Sequence, residues 1–319
     1  MVKISEIYKI VFVGLDFAGK TSILKVLAGS YSDLDRIKPT LGRERTEWDI
    51  LGFKVINWDL GGQKQYRDEY IANAEQVLRD TNLLIFVVDV QDAERINDAA
   101  NYFNDILHAL DLLKIKCPVI LCLHKVDPDI AKNPPIVKNL DWVTNLFSEF
   151  SEKHDVETNV FITSIFDRKS LIEMFSHGIG TLIPISILNT ILDNFIKETK
   201  DIGVVGTILF DMNYIVVGSA FTTLNTRHTC FRTINAFTTL MRDFKGVYDE
   251  DRQISFNISI SNGDIYRFTF SKFSELTSPF YLLIMGKQSL KVESAFTLFR
   301  KKYLPKIDES LHELIKKIE

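Results

Sequence analysis

A glycine-framed loop near the start of the sequence carries the residues that point most directly to chemistry. It reads GLDFAGKT from Gly14 to Thr21 and follows a short apolar run. Glycines let backbone N–H groups converge on phosphate oxygens, and the amino end of a following helix adds partial positive charge. A lysine here supplies a point charge for β- and γ-phosphates, and a threonine hydroxyl can bind Mg²⁺. The candidate phosphate-binding residues in this loop are Gly14, Asp16, Phe17, Ala18, Gly19, Lys20, Thr21 and Ser22.

A second motif, WDLGGQ at residues 58–63, supports the same interpretation. Asp59 would end a strand and hold the magnesium ion through a water molecule, while the backbone N–H of Gly62 would meet the γ-phosphate. Gln63 is placed to orient an attacking water and is the candidate catalytic residue. Read alone, Asp-Leu-Gly-Gly could be an ordinary turn, but two such motifs after neighbouring strands favour a nucleotide site.

The segment between these motifs offers a threonine to the metal. Thr40, within KPTLG, could bind Mg²⁺ through its hydroxyl only while a γ-phosphate is present. Segments near 36–48 and 61–80 would then be ordered in the triphosphate state and released after hydrolysis, which is a switch. Thr46, six residues further on, is an alternative that the sequence leaves open.

Two further motifs predict which base is bound. HKVD at 124–127 ends in an acid that can accept hydrogen bonds from guanine N1–H and from the guanine 2-amino group at once. Adenine lacks that pair of donors, so the acid selects guanine. The Lys125 stem can lie along the base, and TSI at 163–165 can close over it. The candidate guanine-binding residues are His124, Lys125, Asp127, Thr163, Ser164 and Ile165.

Alternating strands and helices position these motifs. Apolar runs predict five strands, which are YKIVFVG, KVINWDLGG, TNLLIFVVDV, PVILCLHKVD and NVFITSIF. Helices are predicted over 20–29, 94–113, 139–152 and 169–178. Such alternation is typical of a doubly wound, mostly parallel sheet of the α/β class. We expect this domain to span residues 1–182.

The pattern changes near Pro184, and we expect a separate α+β domain over residues 183–319. The predicted order is a helix at 185–200, two strands around a turn at 212–213, a helix at 226–243, a hairpin turning at Asn262-Gly263, a strand PFYLLIMG and a helix at 289–303 that ends before Pro305. The final segment, 306–319, has apolar residues at helical spacing. It could lie on a membrane or a partner helix, but its mixed charges favour packing on its own domain.

Composition excludes several classes of protein. The 319 residues carry 38 basic and 42 acidic side chains, and the net charge of −4 argues against a general nucleic-acid binder. There is no run of about 18 apolar residues to predict a membrane span and no signal-peptide pattern. Three cysteines provide no disulfide framework. We therefore expect a cytoplasmic protein, which partners could recruit to a membrane surface.

Taken in order, the motifs resemble those of Ras-superfamily small GTPases over residues 5–182. GLDFAGKT and WDLGGQ are similar to the Arf type, whereas HKVD and TSI are similar to the Rag/Gtr type. The predicted αββαβββα order of the second half resembles the roadblock (longin-like) module at the carboxyl end of Rag GTPases. The resemblance implies a P-loop GTPase domain followed by a roadblock-like domain.

What the resemblance implies is a molecular switch that binds GTP and GDP, needs Mg²⁺ and hydrolyses GTP slowly without an activating protein. It also implies a homo- or heterodimer formed through residues 183–319 and regulation by an exchange factor and an activating protein. Val2 excludes the N-myristoylation signal of Arf proteins. His124 stands where most relatives have an asparagine that ties the base loop to the phosphate loop, so the affinity for the base could differ.

Charged residues near the phosphates affect the expected rate. Asp16 would place a carboxylate near the β- and γ-phosphates, where it would repel the transition-state oxygens and slow unaided turnover. Arg43 and Arg45 lie in the first switch segment, and solvent-facing arginines are favoured there over a role at the phosphates.

Two other functions fit the motifs less well than the switch does. In an assembly module, residues 183–319 would do the main work and nucleotide would be bound with little turnover, but Gln63 argues for retained hydrolysis. An ATP-using metabolic kinase is disfavoured by Asp127 and by the lack of an acceptor-substrate motif.

Overall fold

The computed structural model describes most of the chain, in ten ranges. These are residues 7–28, 30–51, 53–183, 185–212, 214–231, 233, 253–259, 265–273, 279–287 and 291–318. The chain divides into two compact units: residues 7–48 and 54–182 form one, and residues 183–319 form most of the other.

The first unit contains a six-stranded sheet with the order β2-β3-β1-β4-β5-β6. Its strands are β1 (Ile7–Val13), β2 (Arg43–Ile50), β3 (Phe53–Leu60), β4 (Thr81–Asp89), β5 (Val119–His124) and β6 (Thr158–Ile162). β1 pairs in parallel with β3 and β4, and β5 pairs in parallel with β4 and β6. The predicted doubly wound, mostly parallel sheet is confirmed.

β2 is a strand that the sequence analysis did not predict. Its residues, RERTEWDI, are mostly charged, and all are exposed except the half-buried Trp48 and the buried Ile50, so apolar alternation is confined to the last three residues. A strand at the edge of a sheet needs only one paired side and can keep both faces polar. The prediction therefore had one strand too few in the first switch segment.

Helices cover the sheet and close its core. They are α1 (Lys20–Ala28), α2 (Lys64–Ala72), α3 (Ala74–Leu78), α4 (Ile96–Leu113), α5 (Pro134–Lys153) and α6 (Arg168–Leu182). Phe86 of β4 packs against Phe103 of α4 and Phe147 of α5, with ring centroids 5.0 and 5.8 Å away. All three rings are fully buried, so they fix both helices on the strand.

The second unit is built on a five-stranded sheet with the order β8-β7-β11-β10-β9, in which each strand pairs antiparallel with its neighbours. Its strands are β7 (Val204–Phe210), β8 (Val216–Phe221), β9 (Ile254–Ser259), β10 (Ile265–Phe273) and β11 (Phe280–Lys287). Helix α7 (Ser186–Glu198) packs on it, because a Cβ added to Gly218 would lie 3.2 Å from both Leu188 and Leu192. The predicted α+β class is confirmed.

A helical segment at 224–231, here α8, follows β8. The rest of the predicted helix at 226–243, apart from residue 233, lies outside the described residues. So do Asn213 in the predicted turn at 212–213 and the predicted hairpin turn at Asn262-Gly263. Those predictions therefore stay predictions.

The predicted end of the helix before Pro305 is wrong. Helix α9 (Val292–Leu298) continues through a π-helical turn at Phe299–Tyr303 into α10 (Leu304–Ile318). A proline ring inside a helix collides with the carbonyl group four residues before it. In the π turn the hydrogen bonds span five residues and not four, so the backbone just before Pro305 departs from α-helical geometry. The turn is held to α7 by Tyr303, whose ring lies 5.3 Å from Phe195 and whose hydroxyl donates to the Asn194 carbonyl at 3.1 Å.

Helix α10 packs on its own unit along its first turns. Leu304, Ile307 and Leu311 are buried, and the helix contacts α7. This agrees with the favoured interpretation of residues 306–319, as far as the described side chains reach. Within the described ranges, no single helix is both long and apolar enough to cross a membrane.

Candidate functional site

The phosphate-loop residues lie between the end of β1 and the start of α1, as the motif requires. Gly14 has a φ of 144°, and a Cβ there would lie 2.3 Å from the Val87 carbonyl oxygen. Gly19 has a φ of 100°, and its Cβ would lie 2.5 Å from Cδ2 of His124. Both positions therefore require glycine, and the loop is held tightly between β4 and the base loop.

Phe17 occupies the left-handed region of backbone space without being glycine. Its φ is 61°, and its side chain is 70% exposed. Such a conformation is an outlier for a bulky residue and persists only where the surrounding structure fixes it. Ala18, next along the loop, is buried.

Lys20 is buried at the base of the loop. Its ammonium donates to the carbonyl oxygens of Gly14 at 3.0 Å and Leu15 at 2.8 Å. Burial lowers the pKa of Lys20 from its ordinary value to about 8, against the opposing charges of Asp59 and Asp16. The ammonium is therefore held in the loop by neutral carbonyl groups. A bound phosphate would add negative charge beside it and so stabilise its protonated form.

Three oxygen-bearing side chains from separate segments meet beside Lys20. The Thr21 hydroxyl donates to Asp59 Oδ2 at 2.5 Å, and the Thr40 hydroxyl lies 3.0 Å from that of Thr21 and 3.3 Å from the same carboxylate oxygen. Burial raises the pKa of Asp59, partly offset by the Thr21 hydrogen bond. The three predicted metal residues thus lie within hydrogen-bond distance of one another.

This cluster fits Mg²⁺. Asp59 Oδ1 is buried and, among the described residues, has no hydrogen-bond partner. A buried carboxylate oxygen left without a partner is unfavourable unless a cation or an ordered water satisfies it. Oxygen ligands of the carboxylate and hydroxyl type are those that Mg²⁺ prefers.

Thr46, the alternative metal residue, lies elsewhere. It belongs to β2 and is exposed, whereas Thr40 is 8% exposed. Of the two threonines, the structure brings only Thr40 to the Thr21–Asp59 pair.

The second motif lies directly against the phosphate loop. A Cβ added to Gly62 would lie 2.1 Å from the Leu15 carbonyl carbon and from the Asp16 nitrogen, so only glycine allows this approach. Gly61 donates its N–H to the Gly42 carbonyl at 2.8 Å, which Tyr70 also bonds through its hydroxyl at 2.5 Å. These contacts join the two predicted switch segments to each other.

Gln63 precedes the first residue of α2 and is half-buried. It lines an open cavity of about 230 Å³ that includes Phe17, Lys20 and Thr21 from the phosphate loop. The full lining is Asp16, Phe17, Gly19, Lys20, Thr21, Ser22, Ile37, Lys38, Pro39, Thr40, Gly62, Gln63 and Lys125. The cavity therefore brings together Gln63, most of the predicted phosphate residues and two of the three predicted metal residues, and it reaches the base loop at Lys125. Gly14, Ala18 and Asp59 are not part of its lining.

The base loop is held by side chains from three strand ends. Asp127 accepts from the Ser164 hydroxyl at 2.5 Å and from Gln91 Nε2 at 3.3 Å. Lys125, with a φ of 65°, donates to Asp89 Oδ2 at 2.7 Å. Ile165 is half-buried beside Ser164. The structure thus brings Asp127 and Ser164 into contact across 37 positions of sequence.

His124 connects the base loop to the phosphate loop by packing. Its Nδ1 lies 2.8 Å from the Thr163 hydroxyl, and its ring contacts the backbone of Gly19, where a side chain would not fit. Burial lowers the pKa of His124 to about 3, with a smaller effect from the charge of Lys125. The ring is therefore neutral and acts as a spacer between the two loops.

Three side chains at this site were missed by the sequence analysis. Asp89 and Gln91 hold Lys125 and Asp127, and Arg95 donates to the carboxylate of Asp16. Asp89 ends β4, where its position after an apolar run was a usable signal. Gln91 and Arg95 belong to no motif and act across the fold.

Arg43 and Arg45 are exposed, as expected, but they are not free in solvent. The guanidinium groups lie 5.7 and 3.9 Å from the ring centre of Trp58, and Lys9 lies over the same ring at 3.9 Å. Such cation–π contacts hold the start of β2 against β3. These two arginines therefore pack on Trp58 and do not line the cavity.

Comparisons with known proteins agree with this geometry. A model of the Gtr1/RagA G protein conserved region matches residues 9–238. GTP-binding protein gtr1 of Schizosaccharomyces pombe is 26% identical over 242 residues, which are 74% of this chain and 76% of that protein. The Ras-related GTP-binding protein A of Dictyostelium discoideum is 27% identical over 196 residues, 59% of this chain and 62% of that one.

One solved structure that resembles part of the chain is the Arl6 BBS3 small GTPase from Trypanosoma brucei with the bound nucleotide analogue GppNp. It has a TM-score of 0.44 and 20% identity, and the match covers 55% of this chain and 97% of that one.

Proposed function

The chain belongs to the Gtr1/RagA G protein family, and from that premise we propose that it is a guanine-nucleotide switch that hydrolyses GTP to GDP and inorganic phosphate. The observation that carries the proposal is the convergence of Lys20, Thr21, Thr40 and Gln63 on one cavity. Each supplies one function that phosphoryl transfer to water needs.

Binding of the polyphosphate would fall to the loop 14–22. The backbone N–H groups and the Lys20 ammonium would balance its negative charge, and the amino end of α1 would add to that field. Thr21 and Thr40 would hold Mg²⁺ directly and Asp59 would hold it through water. The ion would screen the β- and γ-phosphate oxygens and so ease attack by water.

Hydrolysis would depend on Gln63. From the start of α2 its amide can orient a water molecule toward the γ-phosphorus, so that a P–O bond forms to water as the bond to the GDP oxygen breaks. No arginine is among the residues that line the described cavity. Slow turnover without an activating protein is consistent with this lining.

The base would be read by Asp127. Its carboxylate would accept from guanine N1–H and the 2-amino group, while Ser164 and Gln91 keep it oriented. Lys125 would lie along the ring, and 163–165 would close over it. His124 would support both loops, through Thr163 on one side and Gly19 on the other.

The second unit would serve assembly. We assign residues 1–182 to the GTPase domain and residues 183–319 to a roadblock-like dimerisation domain, either with a second copy or with a relative. The family match extends to residue 238, which supports treating both parts as one functional chain. Exchange and activating proteins, a cytoplasmic location and recruitment to a membrane surface by partners complete the proposal.

Native mass spectrometry of the purified chain tests binding and assembly together. Retained GDP or GTP and a dimer are expected, and a 183–319 deletion should be monomeric with nucleotide still bound. In competition, ATP should displace labelled GDP at least a hundredfold less well than GTP does. Equal displacement by ATP would remove the guanine assignment.

Gln63→Leu should bind GTP normally but hydrolyse it tenfold or more slowly, because the water loses its orienting amide. Single-turnover release of phosphate measures this. The matched control is Gln76→Leu, at an exposed position on α3. If wild type and Gln63→Leu turn over equally slowly, the assembly module with bound but scarcely hydrolysed nucleotide becomes the better description.

A further inference from the structure

Arg95 reaches the phosphate loop from a distant segment. It ends the short 3₁₀ turn Ala93–Arg95 that follows β4, 79 positions after Asp16. One guanidinium nitrogen donates to the Asp16 carboxylate, and the other donates to the Asp16 carbonyl oxygen at 3.4 Å. The two side chains are 33% and 26% exposed, so the pair is partly shielded from solvent.

Arg95 approaches the loop from behind. Asp16 lines the nucleotide cavity, whereas Arg95 does not. Arg95 instead lines a small crevice with Leu15, Ala18 and Val88, on the side of the loop that faces β4 and α4. It therefore acts on the loop rather than on a ligand in the cavity.

The contact with the carbonyl oxygen has a consequence for the backbone. In a trans peptide the C=O and N–H bonds point in opposite directions. Because Arg95 holds the Asp16 carbonyl, the Phe17 N–H points away from Arg95. The same contact helps to fix the left-handed conformation of Phe17, whose φ is 61°. Arg95 thus orients one of the loop amides.

The contact with the carboxylate has a consequence for charge. A bare carboxylate at Asp16 would repel the phosphates, and it would repel a triphosphate more than a diphosphate because the added group carries further negative charge. A guanidinium bonded to it cancels that charge locally. Asp92 also lies 3.8 Å from the same guanidinium, but it lines the crevice with Arg95 and is not among the residues that line the nucleotide cavity.

We propose that Arg95 is a positioning residue that neutralises Asp16 and orients the Asp16–Phe17 peptide, and so sets how strongly the protein prefers GTP to GDP. This inference rests on the proposed function and adds the residue that controls selectivity for the γ-phosphate. It also changes the expectation for Asp16, whose repulsion of the phosphates is counteracted from outside the cavity.

The test is a double-mutant cycle of Arg95→Ala and Asp16→Asn in the full chain. Calorimetry with Mg²⁺ measures the dissociation constants of GDP and of a non-hydrolysable GTP analogue. For Arg95→Ala, the preference for the triphosphate should fall roughly tenfold. Adding Asp16→Asn should return the preference to within about threefold of wild type, because the repelling charge is gone.

Two matched variants separate this effect from general destabilisation. Arg95→Lys keeps the charge and should retain most of the preference, while Arg79→Ala removes an arginine that is 70% exposed and pairs with Glu75. Thermal unfolding of each variant shows that it is folded.

Equal loss of affinity for both nucleotides would overturn the proposal, since it would mark Arg95 as structural only. A lost preference that Asp16→Asn fails to restore would also overturn it, since repulsion by the Asp16 carboxylate would then not be what Arg95 counteracts. Wild-type protein that binds neither nucleotide would instead contradict the proposed function, so the two failures are distinguishable.

Discussion

The base half and the phosphate half of the candidate site are stabilised in different ways. In the base half, side chains hold one another: Ser164 and Gln91 bond Asp127, and Asp89 pairs with Lys125. In the phosphate half, the ammonium of Lys20 is held by carbonyl groups of its own loop. Asp59 keeps a buried oxygen without a partner among the described residues.

This difference shows what each half depends on. The base half is fixed by hydrogen bonds within the protein, and a single changed acceptor should alter what it recognises. In the phosphate half, a phosphate would balance the charge of the buried Lys20 ammonium, and a cation would balance that of the Asp59 carboxylate. We therefore expect selectivity for the base to be sensitive to mutation, and phosphate binding to be sensitive to pH and to Mg²⁺.

The largest effect is expected from a mutation in the base half that changes which base is bound. Asp127→Asn replaces a carboxylate oxygen by an amide N–H₂, which cannot accept from guanine but can donate to the 2-oxo group of xanthine. We expect GTP affinity to fall by roughly a hundredfold or more, and XTP to become the better ligand. Competition against labelled GDP measures both.

The control is Asp129→Asn, an exposed acid two positions further along the same turn. It should bind GTP as wild type does. If Asp127→Asn still preferred GTP to XTP, another group would have to read the base.

A smaller effect, of about tenfold, distinguishes the phosphate half from the base half by its dependence on pH. Burial lowers the pKa of Lys20 to about 8, so in free protein the ammonium loses its proton as pH rises through that value. GDP needs the charged form, and its affinity should fall about tenfold between about pH 7 and 9. Guanosine, which lacks phosphates, tests the base half alone.

Guanosine also corrects for ionisation of the base itself, so the ratio of GDP to guanosine affinity is the quantity to follow. His124 does not contribute, since burial lowers its pKa to about 3 and the ring is neutral throughout this range. A ratio that stayed constant would mean that Lys20 keeps its proton in the free protein, contrary to its burial among carbonyl groups.

The sequence motifs name the candidate residues of both halves because each motif lies within a few consecutive positions. The glycines of the phosphate loop and Asp127 follow apolar strands, and Asp59 lies at the end of one. The carboxyl ends of parallel strands meet at one edge of a sheet. The fold class followed from the same alternation. Those residues could be found without knowing any contact.

Supporting residues could not be found in that way. Gln91 and Arg95 act on residues 36 and 79 positions away, and neither lies in a motif. Strand β2 was not predicted because most of its residues are charged and exposed, so most of its length shows no apolar period. Pro305 predicted a helix end that the structure does not have, because a π turn that packs against α7 lets the helix continue through the proline. In each case the deciding interaction is between distant segments.

The smallest expected effect concerns which of two threonines, Thr40 or Thr46, binds the metal in the phosphate half. Thr40 lies 3.0 Å from the Thr21 hydroxyl, and Thr46 is exposed on β2. Thr40→Ala should weaken the Mg²⁺-dependent part of GTP binding by roughly three- to tenfold, because one hydroxyl ligand is lost while Thr21 and Asp59 remain. Binding with and without a chelator isolates that part.

Thr46→Ala is the matched control, and its Mg²⁺-dependent binding should equal that of wild type. GDP should distinguish the two variants little, because the Thr40 hydroxyl is expected at the metal only when a γ-phosphate is present. If Thr46→Ala gave the larger loss, the first switch segment would have to rearrange so that β2 supplies the ligand. The contact between Thr40 and Asp59 would then belong to a different nucleotide state.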